Sequence, residues 1–161
     1  MIKKFNLFFL TFFMLGRSKI APGTLASLAA CFLFFVLFSY ISFFYLFLVT
    51  LSIFLYSFIA INNSFEEFNG EDPQEIVVDE VVGQMLTLLA IPIYETLYPL
   101  PWLYYFIPAF LLFRLFDIWK PYPISYIDNN IKGALGIMLD DIFASVYSII
   151  ILIIIFFFLG G

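Results

Sequence analysis

Residues Leu25 to Ile61 form an uninterrupted run without a charged side chain. As one helix, at about 1.5 Å per residue, the run would reach about 56 Å, nearly twice a hydrocarbon core of about 30 Å. It therefore predicts two helices, broken at the polar stretch Ser39-Tyr40-Ile41-Ser42: one from about Thr24 to Phe38, the next from about Phe43 to Ile61. Asn62 to Glu75 has loop composition. A third apolar segment, Ile76 to Ile91, carries Asp79 and Glu80 in its first turns and is closed by Pro92. A fourth runs from Trp102 to Trp119 between proline pairs, and a fifth from about Gly136 to Leu159. The run Phe5 to Leu15, preceded by Lys3-Lys4, has a signal-like charge order but no small-x-small cleavage pattern before Gly16. It is too short to span, so an interfacial or re-entrant helix is the better reading than a crossing or a cleaved leader. The expected architecture is an all-α integral membrane protein: a helical bundle of about five transmembrane spans plus a short N-terminal interfacial or re-entrant helix.

Composition agrees. The chain is 64% hydrophobic and 12% charged, with a mean hydropathy of +1.07, outside the range of soluble domains. Residues 1–161 read as a single membrane-embedded domain. A net charge of −5 with seven scattered Lys and Arg argues against a nucleic-acid partner. Nothing points to an obligate protein partner. Histidine is absent, which removes the commonest general base and imidazole metal ligation. Cys31, inside an apolar run, is packing filler.

Alternating the five spans puts the start of the first, third and fifth and the end of the second and fourth on one side. Arg17, Lys19, Lys120 and Lys132 fall there, with Lys3 and Lys4 if the first segment does not cross; the opposite loops hold Glu95. This asymmetry makes the charged side cytoplasmic. On the same side lie Asp79, Glu80, Arg114, Asp117, Asp140 and Asp141. Ionisable groups in membrane segments are costly and mark functional sites.

Five carboxylates against Arg114, Lys120 and Lys132 must take up protons or recruit a cation. Oxygen-only donors suit magnesium, manganese or calcium, and magnesium is the usual companion of phosphate. Each pair also has a plain structural reading: Arg114 and Asp117 as an i,i+3 salt bridge, the acidic pairs as helix-dipole partners. Asp140 and Asp141, about 100° apart on a helix, are expected to grip different ligands. Gly83 offers a close-approach surface that would bring Glu80 to the other acids. Thr24 and Ser27 open the first long span, where free N–H groups can receive a phosphate, although Thr24 is equally an ordinary cap.

Four segments carry a family resemblance: Ala21-Pro22-Gly23-Thr24-Leu25-Ala26-Ser27; Val78-Asp79-Glu80-Val81-Val82-Gly83; Phe113 through Arg114, Asp117 and Lys120 to Pro123; and Gly133 through Asp140-Asp141 to Ala144. Together the chain resembles the magnesium-dependent phosphatidylglycerophosphatase A proteins of bacteria. The resemblance implies a multi-pass enzyme of the bacterial cytoplasmic (inner) membrane that hydrolyses the terminal phosphomonoester of phosphatidylglycerophosphate to phosphatidylglycerol, with its active site on the cytoplasmic face. Carried over by position, Asp79, Glu80, Asp117, Asp140 and Asp141 are the catalytic and Mg2+-binding acids, with Arg114 and Lys120 as cationic partners. Thr24, Ser27 and Lys132 complete the expected substrate contacts. Ala26, Ala134 and Ser145 stand where the family has Gly. The nucleophile stays open between water and an Asp. The rival from another class is a cation transporter or channel, which would place acids near midplane with access from both sides; here they lie at one boundary, without an inverted repeat.

Overall fold

A computed structural model describes residues 2–64, 68 and 74–160. Among them there are eight α-helices and no strand: α1 (Ile2–Leu10), α2 (Pro22–Phe38), α3 (Phe43–Ser64), α4 (Val78–Leu88), α5 (Ile91–Leu97), α6 (Leu103–Trp119), α7 (Ile124–Asn130) and α8 (Gly133–Gly160). The break at Ser39–Ser42 stands where the polar stretch predicts it. The Ser39 hydroxyl turns back to the Phe35 carbonyl at 3.1 Å.

The structure corrects three expectations and adds one helix. First, α3 runs three residues past Ile61, through Asn62–Ser64; most of the expected loop to Glu75 lies outside the described residues. Second, the third segment stops at Leu88 and Pro92 opens α5 rather than closing α4, because proline is tolerated in a first turn, where its missing N–H has no intrahelical role. Third, the stretch after Pro123 folds as a helix, α7, before Gly133 turns the chain at φ +73° into α8. Fourth, α8 begins at Gly133, one turn before the expected Gly136.

The helices α3 and α8, of 22 and 28 residues, are long and apolar enough to cross a membrane. The 17-residue α2 belongs to a shorter apolar class. At 11 residues, α4 would rise only about 17 Å, yet it is the centre of the bundle, packed by α2, α3, α6 and α8. The exterior is apolar: Phe32, Phe44, Ile107, Leu111, Ile118 and Ile154 are all exposed. Polar groups lie inside, including Thr50, Ser57, Thr87 and Ser148. This inverted distribution is that of a membrane protein, in which helix association rests on close packing and internal hydrogen bonds because lipid tails are as apolar as the side chains. Each of those four hydroxyls donates to the carbonyl four residues back, at 2.8–3.0 Å.

The N-terminal helix α1, nine residues long, lies along α3. Its buried Asn6 donates to Ser64 Oγ at 3.0 Å and accepts from Tyr56 Oη at 2.8 Å. Three successive left-handed residues, Phe12, Phe13 and Met14 (φ 40°, 56° and 72°), then reverse the chain. The Leu10 carbonyl accepts from Val77 N at 3.0 Å, tying this turn to the start of α4. At one end of the bundle, Tyr94, Tyr105 and Phe156 close the core with ring centroids 5.2–6.1 Å apart. The other end, where α2, α4 and α8 begin and α6 finishes, is open.

Candidate active site

At that open end lies a cavity of about 390 Å³. Nine of the ten residues singled out from the sequence line it: Thr24, Asp79, Glu80, Arg114, Asp117, Lys120, Lys132, Asp140 and Asp141. The tenth, Ser27, is fully buried one turn deeper on α2, its hydroxyl donating to the Gly23 carbonyl at 2.9 Å and lying 3.5 Å from Arg114 Nη1.

Glycines let the helices come close enough to build this arrangement. A Cβ on Gly83 would lie 2.5 Å from the Phe113 ring and 3.0 Å from the Asp141 carbonyl, so α4 meets α6 and α8 only because none is there. On α2, a Cβ at Gly23 would overlap Glu80 Oε1 and stand 3.2 Å from Arg114 Nη1. Ala21, at φ 42°, turns the chain into Pro22 and the first turn of α2, whose leading N–H groups have no intrahelical acceptor and face an anion readily.

The five acids divide into two sets. Asp117 is paired with Arg114 one helical turn away. Asp140 receives Lys120 Nζ at 2.7 Å, and its other oxygen accepts the Asp141 N–H at 3.0 Å. These two carboxylates are neutralised by cations. Asp79, Glu80 and Asp141 are left, and each offers a carboxylate oxygen within 4.8 Å of the others. Arg114 Nη1 stands 3.9 Å from Glu80 Oε1. Asp79 Oδ1 and Glu80 Oε2 are buried with no hydrogen-bond partner. Three converging oxygens, two of the acids holding an unsatisfied buried oxygen, are a donor set that a hard divalent cation completes. The residues present therefore fit such an ion.

The expected offset between Asp140 and Asp141 is seen: Asp140 turns to Lys120, Asp141 to the acids of α4. Asp79 and Glu80, equally adjacent, converge instead, because the longer Glu80 side chain is held against Gly23.

Asp128 was not anticipated. It projects from α7 into the cavity and accepts from Lys120 Nζ at 2.6 Å, so Lys120 is held between two carboxylates. Burial acts to lower the pKa of this amine, but Asp140 and Asp128 outweigh it and hold the ammonium above its ordinary value. The signal available in the sequence was an acid in the segment after the Pro121 and Pro123 turn, eight residues beyond Lys120. Gln84 was also missed. It is fully buried on α4, with both amide atoms unpartnered.

The family model described as Phosphatidylglycerophosphatase A matches residues 8–156. The chain is similar to a Bacteroides thetaiotaomicron protein with the provisional name phosphatidylinositol-3-phosphatase, at 40% identity over 85% of this chain and 84% of that protein. It is also similar to proteins named Phosphatidylglycerophosphatase A from Haemophilus influenzae, at 37% identity over 81% of this chain and 76% of the relative, and from Escherichia coli, at 36% over 83% and 73%. No solved structure matches the chain.

Proposed function

The chain belongs to the phosphatidylglycerophosphatase A family and is a phosphatase, and we propose that it removes the terminal phosphate of phosphatidylglycerophosphate in a magnesium-dependent hydrolysis at the cytoplasmic face of a bacterial inner membrane. The observation that carries this reading is the meeting of Asp79, Glu80 and Asp141 within 4.8 Å in a cavity that also presents Arg114, Lys120 and Lys132. A lipid phosphomonoester brings about two negative charges, and the site answers with one cation-binding acid set and three basic side chains.

Asp79, Glu80 and Asp141 would hold the ion. Magnesium there supplies charge neutralisation on the phosphate oxygens. Arg114, oriented by Asp117, and Lys120, oriented by Asp128 and Asp140, bind phosphate oxygens through charge-assisted hydrogen bonds. The first turn of α2, with Thr24, adds backbone donors, and Ser27 steadies the guanidinium from below. In the balanced reaction the bond from phosphorus to the glycerol oxygen breaks, water supplies the incoming oxygen, and phosphatidylglycerol leaves with a proton on its freed hydroxyl.

The cavity opens where α2, α4 and α8 start and α6 ends, the same end as Arg17, Lys19 and Lys132. Our reading of the topology is five crossings, made by α2, α3, the pair α4 and α5, α6 and α8, with that end cytoplasmic under the positive-inside rule.

The test is phosphate release from phosphatidylglycerophosphate by purified protein with and without magnesium, beside Asp79→Asn and Asp141→Asn. Activity is expected only with the ion and the intact acids. Turnover persisting in chelator, or in both variants, rules the reading out.

A further inference from the structure

Gln84 lies on α4 one turn beyond Glu80 and is not among the residues lining the cavity. It is completely buried, and neither Oε1 nor Nε2 has a hydrogen-bond partner. The hydroxyls of Thr50, Ser57, Thr87 and Ser148, buried in the same bundle, are all satisfied locally. An amide left unpaired in an apolar interior is costly, about 1–3 kcal/mol for each unsatisfied group, so an unpaired Gln there calls for a functional account.

Its position supplies one. Gln84 follows Glu80 by four residues on α4, which puts both on one face of the helix. Helical side chains lean toward the N-terminus, over the preceding turn, so the Gln84 amide leans toward the turn that carries Glu80. Besides Asp79 Oδ1, two further buried atoms of the site lack partners: Glu80 Oε2 and Arg114 Nε. Their chemistry is complementary to the amide. Glu80 Oε2 needs a donor, which Nε2 supplies; Arg114 Nε needs an acceptor, which Oε1 supplies. Glu80 and Arg114 already face each other at 3.9 Å through other atoms.

We propose that Gln84 is a positioning residue that ties Glu80 to Arg114 beneath the cavity, donating toward Glu80 Oε2 and accepting from Arg114 Nε, directly on a small rotation or through one ordered water. It acts through both groups at once. The Glu80 carboxylate is held in the orientation that serves the acid cluster, and the guanidinium plane is fixed so that its outer nitrogens face the phosphate. The inference rests on the phosphatase reading above and deepens it, assigning a coupling between the cation-binding and phosphate-binding halves of the site.

The experiment compares Gln84→Met, similar in size without the amide, and Gln84→Asn, which keeps the amide one methylene short, with the unaltered protein in detergent. Two readouts are taken: kcat and KM on phosphatidylglycerophosphate, and the magnesium concentration giving half of the full rise in unfolding temperature, which needs no turnover. Loss of a group that orients metal ligands typically costs about 10–100-fold in metal affinity or activity. Gln84→Met is expected to lose kcat by that factor and to raise the magnesium midpoint about tenfold, with Gln84→Asn between it and the unaltered protein. A folded Gln84→Met with unchanged kcat, KM and magnesium midpoint overturns the proposal, as does a variant that lowers the unfolding temperature alone. Should the Met variant not fold, Gln84→Asn decides by the same two readouts. An unaltered protein inactive on this lipid would sink the substrate reading instead, and the magnesium midpoint would still judge Gln84.

Discussion

Replacing Gly23 by alanine separates the demands of the fold from those of the site. In a free helix the change is favourable by up to about 1 kcal/mol. Here the added methyl would overlap Glu80 Oε1 and stand 3.2 Å from Arg114 Nη1, and the nearest atoms it meets across the helix interface belong to side chains. The obstruction is thus the far end of a flexible side chain, which can swing aside, so the bundle accommodates the methyl and the acid cluster absorbs the displacement. Restoring an ordinary carbon to oxygen separation moves the carboxylate by on the order of 1 Å, and a misplacement of that size can cost about 10²-fold in rate, equivalent to about 2.7 kcal/mol of barrier. Gly23→Ala is expected to lower kcat about 100-fold while leaving the unfolding temperature within a degree or two. The contrast is Gly83→Ala, whose methyl would lie 2.5 Å from the Phe113 ring and 3.0 Å from the Asp141 carbonyl. Backbone cannot swing aside, and overpacking of this kind costs about 1–3 kcal/mol of stability. Phosphate release and thermal unfolding, measured on both variants in the same detergent, make the comparison. A Gly23→Ala protein with normal kcat would show that Glu80 needs no fixed place; one that loses stability as Gly83→Ala does would show that the first turn of α2 is structural packing only.

Further outcomes follow from the cation brackets and from the far end of the bundle. Lys120→Met leaves Asp128 and Asp140 facing each other without the ammonium, and should lower stability by about 1.5–3 kcal/mol along with phosphate affinity, read as a raised KM. Because the folded pKa of Lys120 is raised, its stabilising contribution is complete below the unfolded value near 10.4 and is lost only as pH rises through the higher folded value. Thermal unfolding of the unaltered protein minus that of Lys120→Met should accordingly not fall from pH 6 to 9; a difference that shrinks over that interval would contradict the bracket. Tyr105→Phe removes an Oη that donates to the Tyr98 carbonyl at 2.6 Å and accepts from Leu100 N at 2.8 Å. Two such bonds are worth about 1–3 kcal/mol, so this variant should melt earlier with kcat untouched, and a fall in kcat would argue that the aromatic end is coupled to the site.

Which parts of this molecule could be read from the sequence follows from what each signal encodes. The helices α2 and α3 were legible because a chargeless run of that length exceeds a membrane's thickness and has one polar interruption. Pro92 was misread because proline is compatible with the first turn of a helix as well as with the end of one, and only the packing of Leu88 and Ile91 in the core distinguishes the two. The helix α7 is seven residues long, below the length at which apolar periodicity is informative. The members of the site were legible as expensive charges on one side of a topology, and Gly83 as the place where helices approach. Their pairing was not, since salt-bridge partners are set by which side chains reach across helices. Asp117 and Asp140 stand beside Asp79, Glu80 and Asp141 in any list of acids, yet Arg114 and Lys120 occupy the first two and leave the other three facing one another. Asp128 escaped notice because it lies outside the apolar segments, where an acid has no unusual cost. Gln84 escaped because an uncharged amide in an apolar helix raises no flag until burial is known and its partners are counted. A site built this way advertises its charges in the sequence but hides its polar supports, and the buried groups still unpaired after the ion pairs are assigned mark where those supports act.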